Sequence, residues 1–87
     1  MNNEQIIKEI ESLGFTRSIG QALYKNKRYF EYWAEVQNDG SIIFESYHRH
    51  QYADGRKTNY SLKFDDIYEF KNFADELLRF TKKEALA

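Results

Sequence analysis

The chain has 87 residues, with 13 Lys and Arg against 14 Asp and Glu, a net charge of −1, and neither cysteine nor proline. A chain of this length makes one domain over residues 1–87, burying roughly 60–65% of its unfolded surface, enough to stand without metal or disulfide support. The lack of cysteine excludes a disulfide framework and a thiolate metal site, and near-neutral charge excludes indiscriminate bulk attraction to nucleic acid.

The chain opens without an apolar leader and holds no long apolar stretch, so a cytoplasmic protein that does not cross a membrane is expected. The first segment reads as a helix. Asn2 can cap it with Gln5 three residues on, and Ile6, Ile7, Ile10 and Leu13 recur at helical spacing. Gly14 suits the left-handed position just past the helix end, with Phe15 placed against Ile10.

From Thr16 to Phe64 the period becomes two. A first strand is expected over about Arg17–Tyr24, weakened by Gly20 and Gln21. A second runs over about Arg28–Gln37 and a third over about Ser41–Arg49. A two-residue Asp39-Gly40 loop would set Ala34 against Glu45. A three-residue loop Asn38-Asp39-Gly40, with Gly40 left-handed, sets Val36 against Ile42 and Ala34 against Phe44. The second register separates the faces and is the one expected. Phe30, Tyr32, Ala34, Val36, Ile42 and Phe44 then share one face. Tyr29, Trp33, Ile43 and Tyr47 share the other with Glu31, Glu35 and Glu45.

A fourth strand, about Lys57–Phe64, would bury Tyr60, Leu62 and Phe64 and expose Asn59, Ser61 and Lys63. The last helix opens at Asp65 or Asp66, where Asp66 and Glu69 form a capping box. Its stripe of Ile67, Phe70, Phe73, Ala74 and Leu77, extended by Phe80, is core against the sheet, and its tail after Thr81 is expected to fray. The expected fold is α+β: an antiparallel sheet of three to four strands, a C-terminal helix across one face and an additional N-terminal helix. Trp33 lies on the face away from the C-terminal helix. Either it is exposed there with Tyr29 and Tyr47, or the N-terminal helix folds over it through Ile6, Ile7 and Ile10.

Charge is unevenly distributed. No acidic residue occurs between Ser12 and Phe30, whereas Arg17, Lys25, Lys27 and Arg28 do. In an up-and-down meander the turn after the first strand and the one after the third lie at the same end. Lys25, Lys27, Arg28, Arg56 and Lys57 would gather there, near Tyr52 and the two histidines, with Asp39, Asp65 and Asp66 opposite. Such an end suits a phosphate backbone and unstacked bases; the plainer reading is that loops carry solvated charge.

The stretch Asn26-Lys27-Arg28-Tyr29-Phe30, the turn Gln37-Asn38-Asp39-Gly40, then Gly55-Arg56-Lys57, Ser61-Leu62 and the helical Glu69-Phe70 and Phe73 resemble the PUR repeat of Pur-alpha-like proteins. The resemblance covers roughly residues 19–80. It implies four antiparallel strands and a helix that bind single-stranded, often purine-rich DNA or RNA, with a single repeat acting as a homodimer. By position it carries over Lys27, Arg28, Gln37 and Asn38. The chain departs from the repeat at Asp39-Gly40-Ser41, where Lys-Gly-Arg is usual, and through Glu31, Glu35 and Glu45 on the sheet.

The expected function is non-catalytic binding of single-stranded nucleic acid. Lys25, Lys27, Arg28, Arg56 and Lys57 would meet phosphates, and Tyr29, Trp33 and Tyr47 would offer stacking surface worth about 1–3 kcal/mol per base. Reversal of Lys27 and Arg28 to Glu should then abolish binding and leave the fold intact. The alternative is a small protein–protein interaction module, an inhibitor or adaptor of a phage or mobile element, using the acidic and aromatic face. No cofactor is called for. His48 and His50 make a weak metal pair without a third ligand, Asp54–Thr58 lacks phosphate-loop spacing, and Asp65-Asp66 is a cap, so no metal site and no enzyme are expected. If the first strand is discounted, the α-β-β-β-α order also matches a double-stranded RNA-binding domain, but Asp65 and Asp66 stand where its basic helix entry would be.

Overall fold

A computed structural model of the chain describes the backbone of residues 1–48 and 58–86 and the side chains of residues 1–48 and 58–78. The elements are α1 (Asn3–Ser12), β1 (Thr16–Arg17), β2 (Ala22–Lys27), β3 (Phe30–Val36), β4 (Ile42–His48), β5 (Thr58–Phe64) and α2 (Ile67–Leu86). The strands form one antiparallel sheet in sequence order, β1 to β5, and the fold is α+β.

Local chemistry sets each boundary. Asn2 accepts from the Gln5 amide and Gln5 returns the bond to the Asn2 amide, both at 2.9 Å, closing the capping box of α1. Past its last turn Gly14 takes φ 96°, a conformation costly for any residue with a Cβ. At the start of α2 the Asp66 carboxylate accepts from the Glu69 amide at 3.0 Å, while the Glu69 carboxylate accepts from the Asp65 amide at 3.2 Å. The backbone stays helical to Leu86, beyond the point where fraying was expected.

The β3–β4 hairpin has the three-residue loop, with Val36 opposite Ile42 and Ala34 opposite Phe44. Gly40 stands at φ 87°, and Gln37 and Ser41 close the loop through a 2.8 Å backbone bond. Asp39 braces it, accepting from the Ser41 amide at 2.9 Å and the Ser41 hydroxyl at 2.6 Å. These two bonds hold the Asp39 carboxyl below its ordinary pKa.

The expected first strand over Arg17–Tyr24 is corrected: two strands occupy that region. β1 is only two residues long, and the chain reverses through residues 18–21 with Gly20 at φ 70° before β2 begins at Ala22. The sheet therefore has five strands rather than three or four. A two-residue turn, Arg28-Tyr29, joins β2 to β3, so Tyr29 sits in a turn and not on a strand face.

Both helices pack on the same face. Ile6, Ile7 and Ile10 of α1 and Ile67, Phe70 and Ala74 of α2 join Leu23, Tyr32, Ala34, Val36, Ile42 and Phe44 in one core. Phe70 lies 6.0 Å from Phe15 and 6.1 Å from Phe44, ring centre to ring centre. Outside this core, Lys71 pairs with Glu9 at 2.9 Å, and Arg17 pairs with Glu4 and Glu11.

Two outcomes test this account. Gly40→Ala forces a Cβ into the left-handed region and should cost about 1–2 kcal/mol, read as a lowered urea midpoint. The Asp39 carboxyl titrates lower in the folded chain than unfolded, so its stabilisation is complete above about pH 4 and lost as pH falls through the folded value. The acid-induced drop in urea midpoint should therefore be smaller in Asp39→Asn.

Candidate functional site

Alternation along β2, β3, β4 and β5 leaves one face of the sheet without either helix. Register places Ala22, Glu35, Ile43 and Lys63 in one row across that open face. The next row is Tyr24, Trp33, Glu45 and Ser61, and a third brings Asn26, Glu31 and Tyr47 together. Trp33 is half-buried, with its ring 5.4 Å from that of Tyr24. The alternative in which α1 covers Trp33 does not occur, because the buried isoleucines of α1 belong to the core on the other face.

A shallow depression of about 340 Å³ lies in this face, lined by Ala22, Trp33, Glu35, Ile43, Glu45 and Tyr47 among others. The Tyr47 hydroxyl donates to the Glu45 carboxylate at 2.8 Å. Burial, followed by the neighbouring carboxylate, pushes the Tyr47 phenol above its ordinary pKa, so it stays a protonated donor at neutral pH. Gln37 donates to Glu35 at 3.2 Å. Against Glu31, Glu35 and Glu45 the described part of the face sets one cation, Lys63. The patch is aromatic and net negative.

The described residues expected to form one binding site fall into four places. Trp33 and Tyr47 lie on the open face. Lys25 and Lys27 point to the helix-covered face, since Lys25 stands opposite Tyr32 and Lys27 opposite Phe30. Lys25 reaches the Gly14 carbonyl at 3.5 Å, and Lys27 donates to the Leu78 carbonyl of α2 at 3.4 Å. Reversal at Lys27 therefore touches helix packing, contrary to the expectation that the change spares the fold.

Arg28 and Tyr29 make the β2–β3 turn, where Tyr29 is 61% exposed. Gln37 and Asn38 lie at the opposite end of the sheet. There the Gln37 carbonyl accepts from Asn3 at 3.1 Å and Asn38 accepts from Gln21 at 3.4 Å. Asp39, Asp65 and Asp66 share a second depression at that end, as the meander predicted. Arg56 and Lys57, together with Tyr52 and His50, lie outside the described residues. His48 packs at a tilt against Phe30, with 4.9 Å between ring centres. Among the described residues no group of three His, Cys, Asp or Glu is placed to hold a metal ion.

Tyr24 was missed. It belongs to the aromatic face only once β2 is known to begin at Ala22, because starting the strand at Arg17 hides the alternation Ala22, Tyr24, Asn26.

Arg28 is the only non-glycine residue with positive φ among those described, at 55°. Arg28→Gly relieves about 1–2 kcal/mol of left-handed strain against about 0.5–1 kcal/mol of added backbone entropy in the unfolded chain. Stability should hold or rise by up to about 1.5 kcal/mol in urea unfolding; a clear fall would mean that the Arg28 side chain contributes more than its backbone costs. Comparison with known proteins finds no matching family model, no significant match among curated proteins and none among solved structures.

Proposed function

We propose that this chain is a non-catalytic interaction module that takes a protein partner on its open sheet face, with a cationic segment of that partner lying across Trp33. What carries the reading is the company Trp33 keeps. Its row and the two flanking it hold Tyr24, Tyr47 and Ile43 with Glu31, Glu35 and Glu45, against the single described cation Lys63. An arginine or lysine over an aromatic ring gains about 0.5–1 kcal/mol where exposed and about 2 kcal/mol where water is excluded. The carboxylates add attraction and set orientation. A phosphate backbone on the same face would meet three like charges. Lys25 and Lys27, whose charges would offset them, turn to the other side of the sheet.

A second reading keeps single-stranded nucleic acid, bound at the end of the sheet rather than on its face. The observation behind it is Arg28, held at φ 55° beside the exposed Tyr29. A strained backbone at a charged, solvent-facing turn points to use, and β4 ends and β5 begins at this same end. Here Arg28 would hold phosphate and Tyr29 would stack a base.

Substitutions with opposite signs separate the two. Trp33 fluorescence and anisotropy should be followed with an arginine-rich peptide and with a purine-rich single-stranded oligonucleotide. Replacing Glu31, Glu35 and Glu45 together by Gln removes three carboxylates worth about 0.5 kcal/mol each and should weaken the peptide about tenfold. It should leave the oligonucleotide as tight or tighter. Arg28→Gly should weaken the oligonucleotide alone. Peptide binding untouched by loss of the three carboxylates would overturn the open-face reading.

A further inference from the structure

Apart from the open face, the sheet presents an edge that no other described strand completes. β5 lies at the end of the strand order, and among the described residues no strand pairs beyond it. It runs seven residues, whereas the opposite edge, β1, runs two. Long edges are usually guarded by charge, proline or a bulge within the free stretch. β5 has one charged residue, Lys63, and no proline, and its one bulge falls at Asn59, where the pairing with β4 steps from Tyr60 to Thr58, which leaves residues 60 to 64 regular. Its apolar side is also unfinished. Tyr60 is 37% and Leu62 40% exposed, although they stand opposite the fully buried Ser46 and Phe44.

We propose that this edge is completed by a second copy of the chain, its β5 running antiparallel to the first about a two-fold axis at Ser61. This rests on the strand edge and is independent of what occupies the open face. The sequence of β5 is complementary to itself in that register. The axis sets Tyr60 of each copy against Leu62 of the other on the helix-covered side, giving two apolar pairs where each monomer leaves apolar surface in water. On the opposite side it sets Asn59 against Lys63, with no like charges facing. Residues 59 to 63 of each copy gain ladder partners, and the interface is isologous, so assembly stops at two copies. A net charge of −1 per chain raises little repulsion between them. The pairing joins two open faces into one sheet of ten strands.

Sedimentation velocity of the full chain, from low micromolar to near-millimolar concentration, tests the proposal. The expected result is a reversible monomer–dimer equilibrium. Asn59 is exposed, so substitutions there spare the monomer, and circular dichroism should be unchanged. Asn59→Glu puts a carboxylate opposite Lys63 in two symmetric pairs and should tighten the dimer about fivefold, whereas Asn59→Lys should loosen it by a similar factor. Leu62→Lys, which charges the apolar row, should leave monomer only. A chain monomeric throughout the range overturns the proposal. So does a dimer indifferent to both Asn59 changes, which would pair through another surface. Trp33→Ala should leave the equilibrium unmoved, which separates failure here from failure of the open-face reading.

Discussion

Everything in this molecule depends on the register of the β3–β4 hairpin. A strand's side chains alternate strictly, so a slip of one residue would send Ala34 and Val36 to water and bring Glu35 inward. The loop that prevents the slip is short and held on several sides. Gly40 supplies the left-handed turn, Asp39 locks Ser41, and Asn3 at the head of α1 donates to the Gln37 carbonyl. That last bond links register to helix placement, since the helix that fills the core also grips the turn that defines which face is core.

With the register set, the two faces take on different work. One receives both helices and nearly all the buried apolar surface. The other keeps aromatic rings and carboxylates with no helix above them. Lys25 and Lys27 show that charge does not sort by the same rule. A lysine stem is apolar enough to lie along a covered face while its ammonium finds an oxygen, and here those oxygens are main-chain carbonyls of Gly14 and Leu78. The basic character of the stretch before Phe30 is thus partly spent on holding the helices, and net charge by segment is a poor guide to where a ligand would feel it.

Much of the architecture was legible in the sequence, and the reasons are specific. The capping residues Asn2 and Asp66 and the isoleucine spacing of α1 have few alternative readings. The comparison of two loop lengths at Asn38–Gly40 decided the hairpin, because only one separated apolar from charged partners. The first strand was misplaced because Ser18-Ile19-Gly20-Gln21 contains an apolar residue. That residue keeps a period-two pattern alive through what is a reversal, with Ile19 almost wholly in solvent. The grouping of site residues failed for a related reason. Sequence distance put Lys27 beside Tyr29, but parity put Lys27 on the inner face, and a two-residue turn took Tyr29 off the strand altogether. The half-exposure of Tyr60 and Leu62 could not be read from their pattern, which is that of any core strand. It depends on how far the helix layer reaches across the sheet.

One further consequence follows from a sheet covered on a single side. Along β3 the even-numbered positions 30 to 36 face the helices, and the odd-numbered positions 31 to 35 do not. Folding and recognition are therefore written in alternating letters of the same strand. Selection can revise one alphabet while leaving the other in place, so a lineage of such chains could change partners repeatedly at almost no risk to its own fold. An engineer could do the same with a library confined to the open-face positions of three adjacent strands.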